Sequence, residues 1–407
     1  MLMKRSVETI ALVVVAILLG VAGCSTPAAP NRADAGMRDA GIPDGGTPDA
    51  GTPDGGTPDA GTPDAGTPDA GTPDAGTPDG GTADAGTPDG GTFDAGPCVE
   101  PTVPGAAPGF VAVGPDARVL TSDDDGKTWQ EQPRALLEDN LQDDAAAGAA
   151  GKDLRGLAYG PIHWVAVGGG SDGRTNYGRL SGSELLQHWY GFLDDFGFLS
   201  AVAYGDCRFV AVGYNGRYLS ADRSLNHWGD GSQIKPFPFT PSLRAIAYGD
   251  GVFVAVGDKG TRAASPEGIH WTVANDGTGL EDLRAIAYGG GRFVAVGQNS
   301  LVAVSPDGAS WADSHVSGAS GDLAAVTFGA GTFIASGSAG TFASTDGAHW
   351  TSTSSSHHFS ALAFGDGTFV GLTPEGVFYT SPDGTTWTER YTDTAPDPVT
   401  TVAFALW

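Results

Sequence analysis

The stretch LRAIAYGDGVFVAVG occupies residues 243–257, and LRAIAYGGGRFVAVG returns forty residues later at 283–297. A chain that repeats at a fixed period of this length is built from small supersecondary units. No unit buries its own apolar face, so neighbouring copies must stack to make a continuous core. Seven stretches close on a tryptophan: Trp129, Trp189, Trp228, Trp271, Trp311, Trp350 and Trp387. Five of the six intervals are 37–43 residues long. The exception, from Trp129 to Trp189, carries a Gly/Ala/Asp-rich insertion at residues 139–152.

Each full unit holds four short apolar runs. In residues 283–311, LRAIAY ends at a triple glycine and RFVAVG returns as the second arm of a hairpin. LVAVS is the third run, Pro306-Asp307-Gly308 turns the chain, and the run after Trp311 is the fourth. Turn residues between short β-favouring runs are hairpin signals. No segment of this part shows ten residues of clean 3.6 periodicity, so no substantial helix is expected. Four-stranded units at this period predict an all-β fold, a seven-bladed β-propeller of four-stranded blades. The first unit begins at Phe110 with the second run of the pattern, while VTTVAFALW (residues 399–407) supplies one extra first run. The C-terminal strand is therefore expected to complete the first blade and close the ring, leaving no open sheet edge at the seam.

The chain ahead of the repeats is of another kind. Residues 39–96 are almost wholly TPDAG or TPDGG. They contain no Val, Leu or Tyr, and so too little apolar surface to offset the entropy of ordering a backbone. The expected organisation is a leader (residues 1–23), a disordered Pro/Asp/Gly tether (residues 24–97) and the propeller (residues 98–407). The tether would reach about 170 Å fully extended and roughly 40 Å as a coil. Net charge is −27 overall, and −17 for residues 97–407. Such a surface repels phosphate backbones, which excludes nucleic acid as the expected partner.

In the leader, Lys4 and Arg5 precede an apolar run at residues 10–21 that is short for a spanning helix. It ends in Val21-Ala22-Gly23-Cys24. These four residues resemble the lipobox of bacterial lipoproteins. The resemblance implies export, cleavage before Cys24, acylation of Cys24, and anchoring to the outer membrane or cell surface.

The turn before each tryptophan carries a second motif. Ser122, Asp124, Gly126 and Trp129 stand in SDDDGKTW, and shorter copies contain Asp307 and Trp311, Asp346 and Trp350, Asp383 and Trp387. The motif resembles the Asp-box, or BNR repeat, of sialidase-like propellers. Its expected role is structural: Ser and Asp oxygens accept backbone N–H groups of a tight turn, and the Trp fills the gap between blades. The sialidase FRIP-like motif is not found, nor is HExxH, a phosphate loop or a nucleophile elbow. The resemblance thus implies a fold and no catalytic residue. No metal or cofactor is expected. His188, His227, His270 and His349 each precede a blade Trp and are dispersed around the ring, and the pair His357-His358 is not a metal motif.

Three arginines, Arg155, Arg244 and Arg284, occupy one repeat position at the start of first strands. They are expected near the axis on the face that carries the inter-blade loops. There they either bind an anion or pair with acidic loop residues such as Glu281 and Asp282. Tyr190, Phe192, Phe196 and Phe198 make a second candidate, either a contact surface for sugar or protein on that face or core packing. Cys98 and Cys207 are expected to form a disulfide at the opposite face. The reading is a monomeric, lipid-anchored envelope propeller that recognises or scaffolds an envelope protein or glycan without catalysis. The alternative is a glycan-binding protein or a sialidase-like glycoside hydrolase.

Overall fold

The structure is a computed structural model. It describes residues 108–132, 153–161, 163–171, 176–183, 190–194, 198–225, 228–229, 232–234, 241–275, 279, 281–353 and 356–406. The chain divides into two units at residue 88, and all of these residues lie in the second. The leader with Cys24, the tether, Cys98 and Trp189 fall outside the described residues.

The described chain is an all-β propeller whose only helical pieces are three-residue turns. Its strands form six four-stranded sheets and one three-stranded sheet. The innermost strands, in order round the ring, are Thr401–Leu406, Leu154–Tyr159, Leu199–Gly205, Leu243–Gly249, Leu283–Gly289, Ala325–Gly329 and Ala361–Gly365. Each packs against the next, and Ala361–Gly365 packs against Thr401–Leu406 to complete the circle. Blades are numbered one to seven in that order.

The expectation of seven four-stranded blades is corrected: among the described residues six blades have four strands and one has three. That third sheet consists of Leu199–Gly205, Arg208–Gly213 and Tyr218–Asp222, and the described residues at its outer position form the bridges Ala221↔Trp228 and Arg217↔Gln233. In the turn before Trp228, Leu225 takes the place that glycine holds in most copies and sits at φ +56°, a left-handed conformation that costs a side-chain-bearing residue about 1 kcal/mol.

Second strands are buried on both faces, because each sheet is covered by a blade on either side. Phe253, Val254, Ala255 and Val256 are all fully buried. This explains why FVAV reads as a continuous apolar run rather than an alternating one. At the inner hairpins an aromatic ring locks the blades together. Tyr248 of blade four lies over Gly205 of blade three, Tyr288 over Gly249, Phe328 over Gly289, Phe364 over Gly329, and Phe404 over Gly365. A Cβ on any of these glycines would stand closer than 3.0 Å to the ring. Each ring also packs on a phenylalanine of its own hairpin, as Tyr248 does on Phe253 at a centroid distance of 4.6 Å.

Ring closure is both a ladder and a latch. Strand Pro108–Val113 pairs antiparallel with Thr401–Leu406, from Pro108↔Leu406 to Val113↔Thr401. The connection leading to that closing strand is held by Arg118 of blade one. Its guanidinium makes a two-pronged pair with Asp393 at 2.7 and 3.0 Å, and bonds Glu131 at 3.1 Å. Asp393 also accepts the backbone N–H groups of Val399 and Ala395. Burial pushes the Asp393 carboxyl up, but the Arg118 and backbone hydrogen bonds override it and hold the group below the ordinary carboxylate range. Arg118→Ala leaves Asp393 buried without its cation, so a stability loss of about 3–5 kcal/mol is expected in urea unfolding. Deletion of residues 399–407 exposes the edge of blade one, and aggregation or loss of the cooperative melt is expected. A truncated protein that melts with the intact one would contradict the closing role.

Candidate functional site

Strand direction sorts the turns onto two faces. Inner strands start on the face that also carries the turns between second and third strands, such as Asp258–Gly260. They end on the opposite face, which carries the inner hairpins and the turns before the tryptophans. The first is called the upper face here and the second the lower.

The lower-face turns are self-contained. Ser305 Oγ accepts the N–H of Gly308 at 2.8 Å, and the Asp307 carboxylate accepts those of Ala309 and Ser310 at 2.9 and 2.7 Å. Trp311 Nε1 donates to the Gly308 carbonyl at 2.9 Å. Equivalent bonds recur at Ser122, Asp124, Gly126 and Trp129 in blade one. They recur again at Asp346 and Trp350, and at Asp383 and Trp387. The carboxylates are thereby committed to backbone N–H groups, which stabilise the ionised form. The Ser310 and Ala309 amides hold Asp307 down to about 2, and the Thr386 amide is the main cause holding Asp383 to about 2. In blade four Glu267 replaces the Asp, bonding the His270 amide at 2.8 Å.

The histidines serve the same turns or pack locally. His270 and His349 pair with Glu267 and Asp346, both at 2.7 Å. His357 lies against Tyr379 with centroids 4.2 Å apart, and His358 Nδ1 is 2.8 Å from the Gly337 carbonyl. Among the described residues no three His, Cys, Asp or Glu side chains are grouped to hold a metal. Nor is any helix there long and apolar enough to cross a membrane.

On the upper face the three arginines bridge seams between blades. Arg244 of blade four pairs with Asp258 of its own blade and, at 3.4 Å, with Asp282 at the start of blade five. Arg284 of blade five pairs with Asp322 at the start of blade six at 2.8 Å. The same carboxylates accept backbone N–H groups from the preceding blade, Asp282 from Lys259 at 2.9 Å and Asp322 from Asn299 at 3.0 Å. Glu281 engages Asn299 and His315 instead. Arg155 of blade two departs from this arrangement. It lies 4.0 Å from Asp153, and its guanidinium sits 4.9 Å over the ring of Phe198, at the start of blade three. Of the two expectations, pairing with acidic residues describes Arg244 and Arg284, and the cations are distributed seam by seam.

Tyr190 and Phe192 require a correction. They do not belong to an upper-face loop: Tyr190–Asp194 is the outermost strand of blade two, paired with residues 178–182. The flanking turn signals are weak, and the β-favouring aromatic run prevails. Cys207 lies in the lower-face hairpin turn at φ +55° and is disulfide-bonded. Its expected partner, Cys98, lies outside the described residues. Sequence reading missed Arg118 with Asp393, which are 275 residues apart, and Tyr214, which occupies the turn position held by Asp258 and Gln298 in blades four and five.

The turn carboxylates give a signed pH dependence. Their folded values lie below 3.8, so their contribution is complete above pH 3.8 and disappears as pH falls toward about 2. The melting temperature is therefore expected to drop across that window. The double substitution Asp307→Asn, Asp383→Asn lowers it at neutral pH and flattens the acid limb. An unchanged acid limb in calorimetry would place the titration elsewhere.

Residues 274–407 match the family described as the DUF6242 beta propeller domain. That span covers blades five to seven and the closing strand. No curated protein matches the chain. Among solved structures the chain is similar to the computationally designed Ika8 protein, at 15% identity and a TM-score of 0.41. The similarity covers 68% of this chain and 81% of that one.

Proposed function

We propose that this chain is a lipid-anchored propeller of the cell envelope, a seven-bladed member of the Asp-box class that recognises or scaffolds a partner without catalysis. The observation that carries the reading is the commitment of polar groups. Each Asp of the lower-face turns is bound by its own backbone, and Arg244 and Arg284 are neutralised across seams. Groups so engaged build a rigid display surface, and these carboxylates and arginines serve structural partners rather than a reacting centre.

The tether gives this surface a direction. A bond from Cys98 to Cys207 would bring the tether to the lower face and leave the upper face pointing away from the membrane. Acylation of Cys24 would supply the anchor, and a tether rich in Pro and Asp would hold the propeller off the lipid. The glycan-binding alternative is favoured by one observation, that Arg155 lies over the ring of Phe198 and not on a carboxylate of the next blade.

The test of anchoring is direct. The protein is expected to partition into detergent and to label with a fatty-acid probe, and Cys24→Ser should abolish both. Label that persists in the variant would remove the lipoprotein assignment. Crosslinking of the tethered protein in intact envelopes tests recognition, with upper-face residues expected to carry the crosslinks.

A further inference from the structure

The aromatic that ends each inner strand stands on the lower face. From Tyr159 in blade two round to Phe404 in blade one, each of these rings is half-buried. Beyond them lie the tips of the inner hairpins. The tip is Asp250-Gly251 between Gly249 and Val252 in blade four, Gly290-Gly291 between Gly289 and Arg292 in blade five, and Asp366-Gly367 between Gly365 and Thr368 in blade seven. Blade two departs from these. Its tip is Pro161-Ile162, where the Gly160 N–H bonds the His163 carbonyl at 2.9 Å.

Blade two also lies between two points at which the chain ahead of the ring is held. In blade three the tip between Gly205 and Arg208 contains Cys207, which is disulfide-bonded. The chain has 3 cysteines, and the other two, Cys24 and Cys98, precede the ring. In blade one, strand Pro108–Val113 starts on the lower face, because Pro108 pairs with Leu406 at the end of the closing strand. A stretch of ten residues, from Cys98 to Pro108, reaches about 31 Å as a polyproline II helix. Packed sheets stand about 10 Å apart, so the two seams between blades one and three span about 20 Å. A chain from Cys207 to Pro108 with so little slack passes over blade two. Its sequence is CVEPTVPGAAP, and Pro101 and Pro104 are one polyproline II turn apart, on one face of such a helix.

We propose that residues 98–107 cross the lower face as a strap, with Pro101 and Pro104 seated against the Tyr159 ring and the Pro161-Ile162 tip of blade two. The inference rests on the Cys98–Cys207 bond of the reading above and adds the surface that receives the chain. P-x-x-P segments dock on aromatic-lined surfaces because their backbone is extended before it binds, so little entropy is lost. Their carbonyls have no internal partner, and a tyrosine hydroxyl is a donor for them. Connectivity selects this occupant: a disulfide at Cys207 holds the segment beside the rings at an effective concentration of about a millimolar. Charge selects it over the repeats ahead of it. Residues 98–107 carry one acid, Glu100, whereas each TPDAG or TPDGG unit adds an Asp to a face that already presents Asp206, Asp250 and Asp366 at its tips.

The test uses the full-length protein in detergent micelles. Peptide mapping without reductant is expected to recover Cys98 joined to Cys207. Backbone amides in residues 99–107 are expected to exchange about tenfold more slowly than those of the TPDAG repeats. The double variant Pro101→Ser, Pro104→Ser should keep the disulfide and the melting curve. It should bring those amides to the rate of the repeats and raise nitration of Tyr159 by tetranitromethane about tenfold. Tyr288, at the same position in blade five, should nitrate at an unchanged rate. Exchange of residues 99–107 at the rate of the repeats with the disulfide intact would overturn the docking and leave the recognition reading standing. Cys207 joined to Cys24 would overturn the strap and the lipid anchor together. Shielding of Tyr159 that disappears on dilution would assign the surface to a second copy of the chain and overturn the strap.

Discussion

The packing of an aromatic ring on the glycine of the preceding blade is the contact from which this fold follows. Sheets joined by flexible connections slide past one another unless something fixes their spacing. Here the ring at the end of each inner strand occupies the space where the neighbour's Cβ would be, from Tyr248 on Gly205 to Phe404 on Gly365. That close approach sets the distance between inner strands and so the curvature of the ring. It also explains two residues of the repeat at once. The AYG or AFG ending of the first strand is one interaction read twice: the aromatic reaches back to the previous blade, and the glycine receives the next.

Polar contacts then act where packing is weakest, at the rims. On the upper face one carboxylate, such as Asp282, binds both an arginine side chain and a backbone N–H of the preceding blade. Exposed pairs of this kind contribute little singly, and here they act at two adjacent seams. The closing seam differs in kind. The ends of the described chain meet there, so no covalent connection holds blade one's inner strand to its own second strand. Arg118 and Asp393 stand nearly buried at that point, with Asp393 also binding two backbone N–H groups of the connection to the closing strand. The strongest polar contact lies where chain connectivity contributes least.

The repeat period, the hairpins and the closure by residues 399–404 were legible in the sequence because each is local or periodic. FVAV and the Asp-Gly turn announce themselves within ten residues. The structural role of Ser122, Asp124, Gly126 and Trp129 was legible for the same reason, since all of its bonds lie within one turn. Two features were not. The pairing of Arg118 with Asp393 spans 275 residues and appears in a single blade, so no periodic signal marks it. The irregular edge of blade three reads in sequence only as a missing glycine before Trp228, a mismatch that the regular blade two shares. Tyr190 and Phe192 illustrate a different failure. A run flanked by weak turn signals reads equally as loop or strand, and pairing to residues 178–182 decides it.

A repeat protein separates stability from function by position. Whatever recurs in every blade sustains the ring, because a contact needed at each seam must be present at each seam. Gly289 with Phe328 and Asp307 with its turn recur most widely, and changing either alters how blades hold together. Residues that depart from the repeat have no such duty. Phe198 stands where blades five and six have Asp282 and Asp322, and Tyr214 is exposed in a turn that holds Asp258 and Gln298 in blades four and five. The two departures are adjacent, joined by the hydrogen bond from the Tyr214 N–H to the Phe198 carbonyl. Among the described residues the arginine–carboxylate bridge stands at two seams, those after blades four and five, so it reinforces particular seams on a ring that the aromatic–glycine contacts already hold.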